Sequence, residues 1–239
     1  MMKPTAESIV ERGVREQPFS LECEGRVVPA ILWTPEAGGS GQPLVLLGHG
    51  GSLHKRADYI LACARRLARD HGIASVAIDA PGHGERADLD TERVGRLDRV
   101  WGRAGVVEET IADWRAALDA VQDMLGAGPV GYFGMSMGTM MGVPLIAAES
   151  RIQAAVFGLM GTWSVISQRL ADDAARVTCP VRFLVQWDDE IVPRDLAFDL
   201  FDRLGSKQKS MRTHPGGHLE IPPDEMRAVP EFLASHLGG

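Results

Sequence analysis

Short apolar runs, separated by stretches of helical periodicity, constrain this chain more than any other feature. The runs are "LVLLGHG" (44–50), "IASVAIDA" (73–80), "VGYFGMS" (130–136), "AAVFGLM" (154–160) and "VRFLVQW" (181–187). The first is continuously apolar up to its glycines. That is the pattern of a parallel strand buried on both faces, which delivers its carboxyl end to a loop. Between and after the runs, Tyr59 to Arg69, Val107 to Leu125, Met137 to Ala148 and Asp195 to Leu204 carry helical spacing, the last closed by Gly205. "KSMRTHPGGH" and "PDEMRAVPEFLASHL" complete the series with a strand and a helix. Strands alternating with helices require a mostly parallel sheet covered on both faces, and right-handed crossovers limit how it is wound.

Upstream, Phe19 to Leu32 alternate polar and apolar around a turn at Glu24-Gly25, so the fold is expected to open with an antiparallel hairpin. The linker "TPEAGGSGQP" follows it. No internal repeat or further Gly/Ser-rich stretch divides the chain, which reads as a single domain over 1–239 with room for a short cap segment around 159–178. A hydrophobic content of 45% over 239 residues is ample for a sizeable core.

A net charge of -7, with no concentration of Lys and Arg, argues against a nucleic-acid partner. No segment approaches the roughly 18 consecutive apolar residues of a membrane helix, and "MMKPTAESIVERG" lacks the apolar core of a signal peptide, so the expectation is a cytoplasmic protein with no membrane partner. Cys23, Cys63 and Cys179 are widely spaced without C-x-x-C, and there is no H-E-x-x-H; reduced, mostly buried thiols, no metal site and no cofactor are expected. The adjacent pairs Glu108-Glu109 and Asp172-Asp173 read as solvated helix faces.

Chemistry concentrates at "GYFGMSMG" (131–138), where Gly134, Ser136 and Gly138 form G-x-S-x-G between a strand and a helix. A sharp strand-to-helix turn of this kind lifts a serine oxygen out of the sheet, and its glycines allow chain segments to approach too closely for side chains. The bland alternative makes Ser136 an ordinary helix N-cap. A nucleophilic serine needs a base, and the base needs a carboxylate to hold its tautomer. Asp188 and Asp189 follow one apolar run, and His218 follows the last strand and a glycine pair.

In these motifs the chain resembles the α/β-hydrolase family, over nearly its whole length. The resemblance implies the chain order nucleophile, acid, histidine, hence Ser136, an aspartate, then His218. The acid in that family commonly stands three residues before Val-Pro, which selects Asp189 before Val192-Pro193 and leaves Asp188 as the fallback. "GHGGS" after the strand at 44–47 offers the Gly51 N–H to a developing oxyanion, together with the N–H of Met137. Ser52 interrupts the longer H-G-G-G form and leaves open whether Gly51 or Ser52 donates. His49 is assigned a loop-orienting role by the same resemblance, and "DAPGHGER" (79–86) matches a loop that borders the pocket, with His83 read as a turn residue. Met137 is expected to line the pocket beside the nucleophile; Met160 and Trp163 are candidates for the same pocket, with plain core packing as the alternative.

The resemblance implies a serine hydrolase that cleaves carboxylic esters through an acyl-enzyme. It is similar to the dienelactone-hydrolase-like and small carboxylesterase branches, although dienelactone hydrolases proper use cysteine where this chain has Ser136. The short 159–178 segment suits small-molecule esters of short or medium acyl length. The same fold also hosts C–C bond hydrolases, peptidases, acyltransferases and non-catalytic binding proteins, and neither substrate nor oligomeric state is written in the sequence.

Overall fold

The computed structural model describes residues 2–87 and 96–238, the side chains of 96–98 excepted. Its strands form one mixed sheet: β1 (Lys3–Pro4), β2 (Ile9–Glu11), β3 (Val14–Cys23), β4 (Arg26–Pro35), β5 (Leu44–Gly48), β6 (Ala74–Ile78), β7 (Val130–Met135), β8 (Ile152–Gly158), β9 (Val181–Gln186) and β10 (Lys209–His214). The spatial order is β1-β3-β4-β6-β5-β7-β8-β9-β10, with β2 paired to β3. From β6 to β10 every neighbour is parallel, and β3 and β4 join antiparallel. The β3–β4 turn has positive φ at both Glu24 and Gly25, the backbone a two-residue hairpin with right-twisted strands demands.

Seven helices are described: α1 (Asp58–His71), α2 (Arg96–Trp101), α3 (Val106–Leu125), α4 (Met137–Ala148), α5 (Ser167–Ala174), α6 (Arg194–Arg203) and α7 (Pro223–Leu237). Apolar residues of α1 and α7 pack on one face of the sheet, and those of α3 to α6 on the other. The chain leaves β5 for β6 on one side and returns with β7 on the other side of β5. That reversal opens a crevice at the carboxyl ends of β5 and β7, the place where open α/β sheets take their ligands.

Several details differ from the sequence reading. β4 does not alternate: Val28 to Trp33 are all buried, because the strand lies between β3 and β6 with apolar residues on both sides. β1 and β2 precede the hairpin; β2 is exposed and carries no alternation to reveal it. Gly205 does not cap α6 in a left-handed conformation; a side chain there would run into the Ala175 carbonyl. Glu109 and Asp173 are not solvated. Glu109 lies among Arg26, Arg86 and Arg103, and Asp173 is held by Arg169 and Arg176, whereas their neighbours Glu108 and Asp172 are exposed. Cys23 and Cys63 are buried and Cys179 half-buried, and burial raises all three thiols. Among the described residues no helix is long and apolar enough to cross a membrane.

Candidate active site

β7 ends at Met135 and α4 begins at Met137, so a single residue makes the whole turn. That residue, Ser136, has φ 55° and ψ -119°. A side chain held there costs about 1–3 kcal/mol and persists only where the surroundings dictate it. The surroundings here are tight: a Cβ on Gly134 would lie 2.5 Å from the Gly138 carbonyl oxygen, so the turn closes only with glycine. The buried Tyr132 hydroxyl donates to the Gly138 carbonyl (2.7 Å). The buried Thr139 Oγ1 stands 2.8 Å from the Gly134 carbonyl oxygen and accepts the Gly158 N–H (2.9 Å), tying the turn to β8. Ser136 occupies the N-cap position of α4, yet its side chain caps nothing.

Its Oγ instead lies 3.0 Å from His218 Nε2. On the other side of the ring, His218 Nδ1 is 2.8 Å from Asp189 Oδ2 and 3.0 Å from Oδ1. A carboxylate only accepts, so Nδ1 carries the proton in the neutral imidazole and Nε2 is left to accept the Ser136 O–H. Asp189 Oδ1 also accepts the N–H groups of Ile191 and Val192 (2.9 and 2.8 Å), which fixes the carboxylate in the loop after β9. The side chains of His218 and Asp189 are 5% and 4% exposed, dry enough for the pair to interact strongly. Asp188 takes a different partner, accepting the Gly216 N–H at 3.2 Å. A serine in this arrangement can surrender its proton to the imidazole as its oxygen attacks a carbonyl.

The loop after β5 faces the same point. Gly50 N–H donates to Tyr59 Oη (2.7 Å), while the N–H groups of Gly51, Ser52 and Met137 have no acceptor among the described residues, so the loop leaves both of its candidate donors free of partners there. His49 organises this loop from beneath: its Nε2 accepts the Ala80 N–H (3.1 Å), so Nδ1 is protonated and donates to the Gly50 carbonyl (2.9 Å). Complete burial pushes His49 down from 6.5 to about 4, so it stays neutral. His83, also buried, donates from Nδ1 to the Pro81 carbonyl (2.9 Å), and its ring centroid lies 5.5 Å from that of His49. Lys55, in the same loop, is buried and paired with the fully buried Asp79 at 2.6 Å.

A cavity of about 260 Å³ opens beside Ser136. Met137, Met160 and Trp163 line it; Trp101, Met140, Val165 and Ile191 join them from α2, α4 and two loops, and Ser164 adds a hydroxyl. Met140 lies one turn after Met137 on α4, and Ser164 and Val165 follow Trp163, whereas nothing in the sequence links Trp101 and Ile191, which reach the cavity from the connections after β6 and β9. No charged side chain lines the cavity among the described residues, and no group of three or more His, Cys, Asp or Glu among them could hold a metal ion.

With this geometry in hand, comparisons place the chain among known structures. A cold-adapted esterase from an Arctic intertidal metagenomic library, in its PEG-bound complex, is 43% identical, with 99% of this chain and 100% of that one covered and a TM-score of 0.91. An acetyl xylan esterase from Paenibacillus sp. R4 (16% identity, 99% and 88% covered, TM-score 0.75) and a dienelactone hydrolase from Anabaena variabilis (20%, 94% and 97%, 0.70) share the fold. No protein-family model and no curated protein matches the chain.

Proposed function

This chain belongs to the α/β-hydrolase superfamily, and we propose that within it the protein is a serine esterase acting through an acyl-enzyme. Ser136 Oγ attacks the ester carbonyl while His218 Nε2 takes its proton, and Asp189 steadies the imidazolium. The Gly51 and Met137 N–H groups receive the negative charge that develops on the carbonyl oxygen. His218 returns the proton to the departing alcohol, the acyl group remains on Ser136, and a water activated by the same histidine releases it.

One observation carries this reading. Ser136 sits in a strained N-cap position from which its side chain caps nothing, and it hydrogen-bonds His218. The Gly51 and Met137 N–H groups, without an acceptor among the described residues, and the esterase similarity support it. The apolar cavity is the acyl site, with the segment 159–178 acting as a small cap over it. At about 260 Å³ it is smaller than the roughly 300–1,000 Å³ of pockets that hold drug-sized ligands, which favours short or medium acyl groups. Among the described residues no cation lines it, so an acyl chain bearing a free carboxylate would be buried against them without compensation, and neutral acyl groups are preferred.

The test is Ser136→Ala with a series of nitrophenyl esters. The variant is expected to keep its circular dichroism spectrum and lose about 10³-fold or more in kcat. Near-wild-type turnover by the variant would end this reading. In the wild type, rates should fall for long acyl chains and for acyl chains ending in a carboxylate; the reverse order would remove the cavity assignment.

A further inference from the structure

The loop that carries His218, "PGGHLE" (215–220), ends three successive main-chain N–H groups on three different carboxylates. Gly216 donates to Asp188 Oδ2 at 3.2 Å, Gly217 to Glu220 Oε2 at 2.7 Å, and His218 to Glu190 Oε2 at 2.9 Å. Asp189 lies between the two acids that reach across from the β9–α6 loop, and it holds the ring of the same histidine. Asp189 and Glu190 therefore grip one residue at two points, side chain and main chain. Gly217 is what lets Glu190 in: a Cβ at that position would lie 2.7 Å from Glu190 Oε2.

Glu190 and Glu220 are exposed, and hydrogen bonds of exposed carboxylates add little to the stability of a fold. Their geometric value is larger. The Ser136–His218 hydrogen bond is 3.0 Å, and a displacement of about 1 Å in such a contact can cost on the order of 10²-fold in rate.

We propose that Glu190 is a positioning residue for His218, its carboxylate anchoring the histidine main chain while Asp189 orients the ring. The proposal rests on His218 being the base, as read above. Glu190 also adds negative charge beside the imidazole; the His218 N–H first, then Glu190's own N–H and last the charge of the His218 ring hold the Glu190 carboxyl below its ordinary range. The groups bonded to the ring are Asp189 and Ser136; Asp188 and Glu190 from the β9–α6 loop and Glu220 from its own hold the main chain of residues 216–218. The nearby Arg194 is engaged elsewhere, 3.9 Å over the Trp187 ring and donating to the Trp187 carbonyl.

Glu190→Ala removes acceptor and charge, whereas Glu190→Gln keeps an acceptor and removes the charge. At about pH 8, Glu190→Ala is expected to lose about tenfold in kcat with KM within about twofold, and Glu190→Gln to stay within about twofold of wild type in both. Both variants should move the acid limb of kcat/KM to lower pH, because the imidazolium loses a neighbouring anion. Thermal melts accompany the kinetics; if Glu190→Ala melts early, Glu190→Gln carries the test through its acid limb. Wild-type kcat and acid limb in Glu190→Ala overturn the proposal, as does Glu190→Gln impaired as far as Glu190→Ala at about pH 8. A wild type with no acid limb at all is a failure of the base assignment; a wild-type limb that neither variant moves is a failure of the Glu190 assignment alone.

Discussion

Ser136 and His218 reach their shared 3.0 Å hydrogen bond from two regions built on different principles. The serine turn is interior: Tyr132 and Thr139 are fully buried, and the glycines of the turn face backbone too close for any side chain. The histidine arm is peripheral. Its main chain is held by carboxylates of which Asp188, Glu190 and Glu220 are exposed to water. Packing therefore fixes the nucleophile, and polar contacts at the surface fix the base. Damage to the turn should register mainly as lost stability, and damage to the arm as lost rate in a protein that still folds.

The largest expected effect is in the arm. Asp189→Asn should lower kcat by about 10⁴-fold, because an amide no longer enforces Nδ1 protonation, while the urea midpoint moves little since Asn still accepts the Ile191 and Val192 N–H groups. Asp188→Asn should cost only a few-fold, as it touches the loop and not the ring. Equal losses in the two variants, read from kcat and urea midpoints together, would break the distinction between orienting the ring and holding the loop.

Acid separates the regions next. On the turn side, His49 is held neutral, with a folded-state value of about 4 against an ordinary 6.5. The folded state thus refuses a proton that the unfolded chain accepts. The stability from His49 neutrality is complete above about 6.5 and is lost as pH falls toward about 4, a component of roughly 3 kcal/mol. Urea titrations at about pH 7 and about pH 4.5 should show that loss in the wild type and a smaller one in His49→Gln, whatever that variant's absolute stability. An identical pH slope in both proteins would remove His49 from the account of acid sensitivity.

A smaller effect sharpens the comparison from inside the turn. A side chain at Gly138 would overlap the Gly48 carbonyl, so Gly138→Ala should cost about 1–3 kcal/mol, seen as a lower urea midpoint at unchanged slope. An unchanged midpoint accompanied by lost activity would show the turn behaving like the arm.

The same contrast explains what was legible in the sequence. The central strands announce themselves as apolar runs because burial on both faces leaves no polar position, and the spacing of Gly134, Ser136 and Gly138 marks a turn whose geometry is local. Asp189 and His218 stand out because each follows a strand. What the sequence hides depends on distant partners. Glu109 and Asp173 look like surface acids until their arginines arrive from other elements or other turns, and Glu190 looks like a loop residue until β9 and β10 align side by side. Trp101, Val165 and Ile191 meet at the cavity from three separate connections, and no periodicity records that meeting.

The most direct test of the central claim is to trap the covalent intermediate. Wild-type protein mixed with excess nitrophenyl acetate should release a burst of about one equivalent of nitrophenol per chain before the steady rate if deacylation is the slower step; acid quenching and peptide mass spectrometry should then find the acetyl group on the peptide containing Ser136. Ser136→Ala should show neither burst nor label. An acetyl group on another residue, or ester turnover at the wild-type rate in Ser136→Ala, would contradict the account.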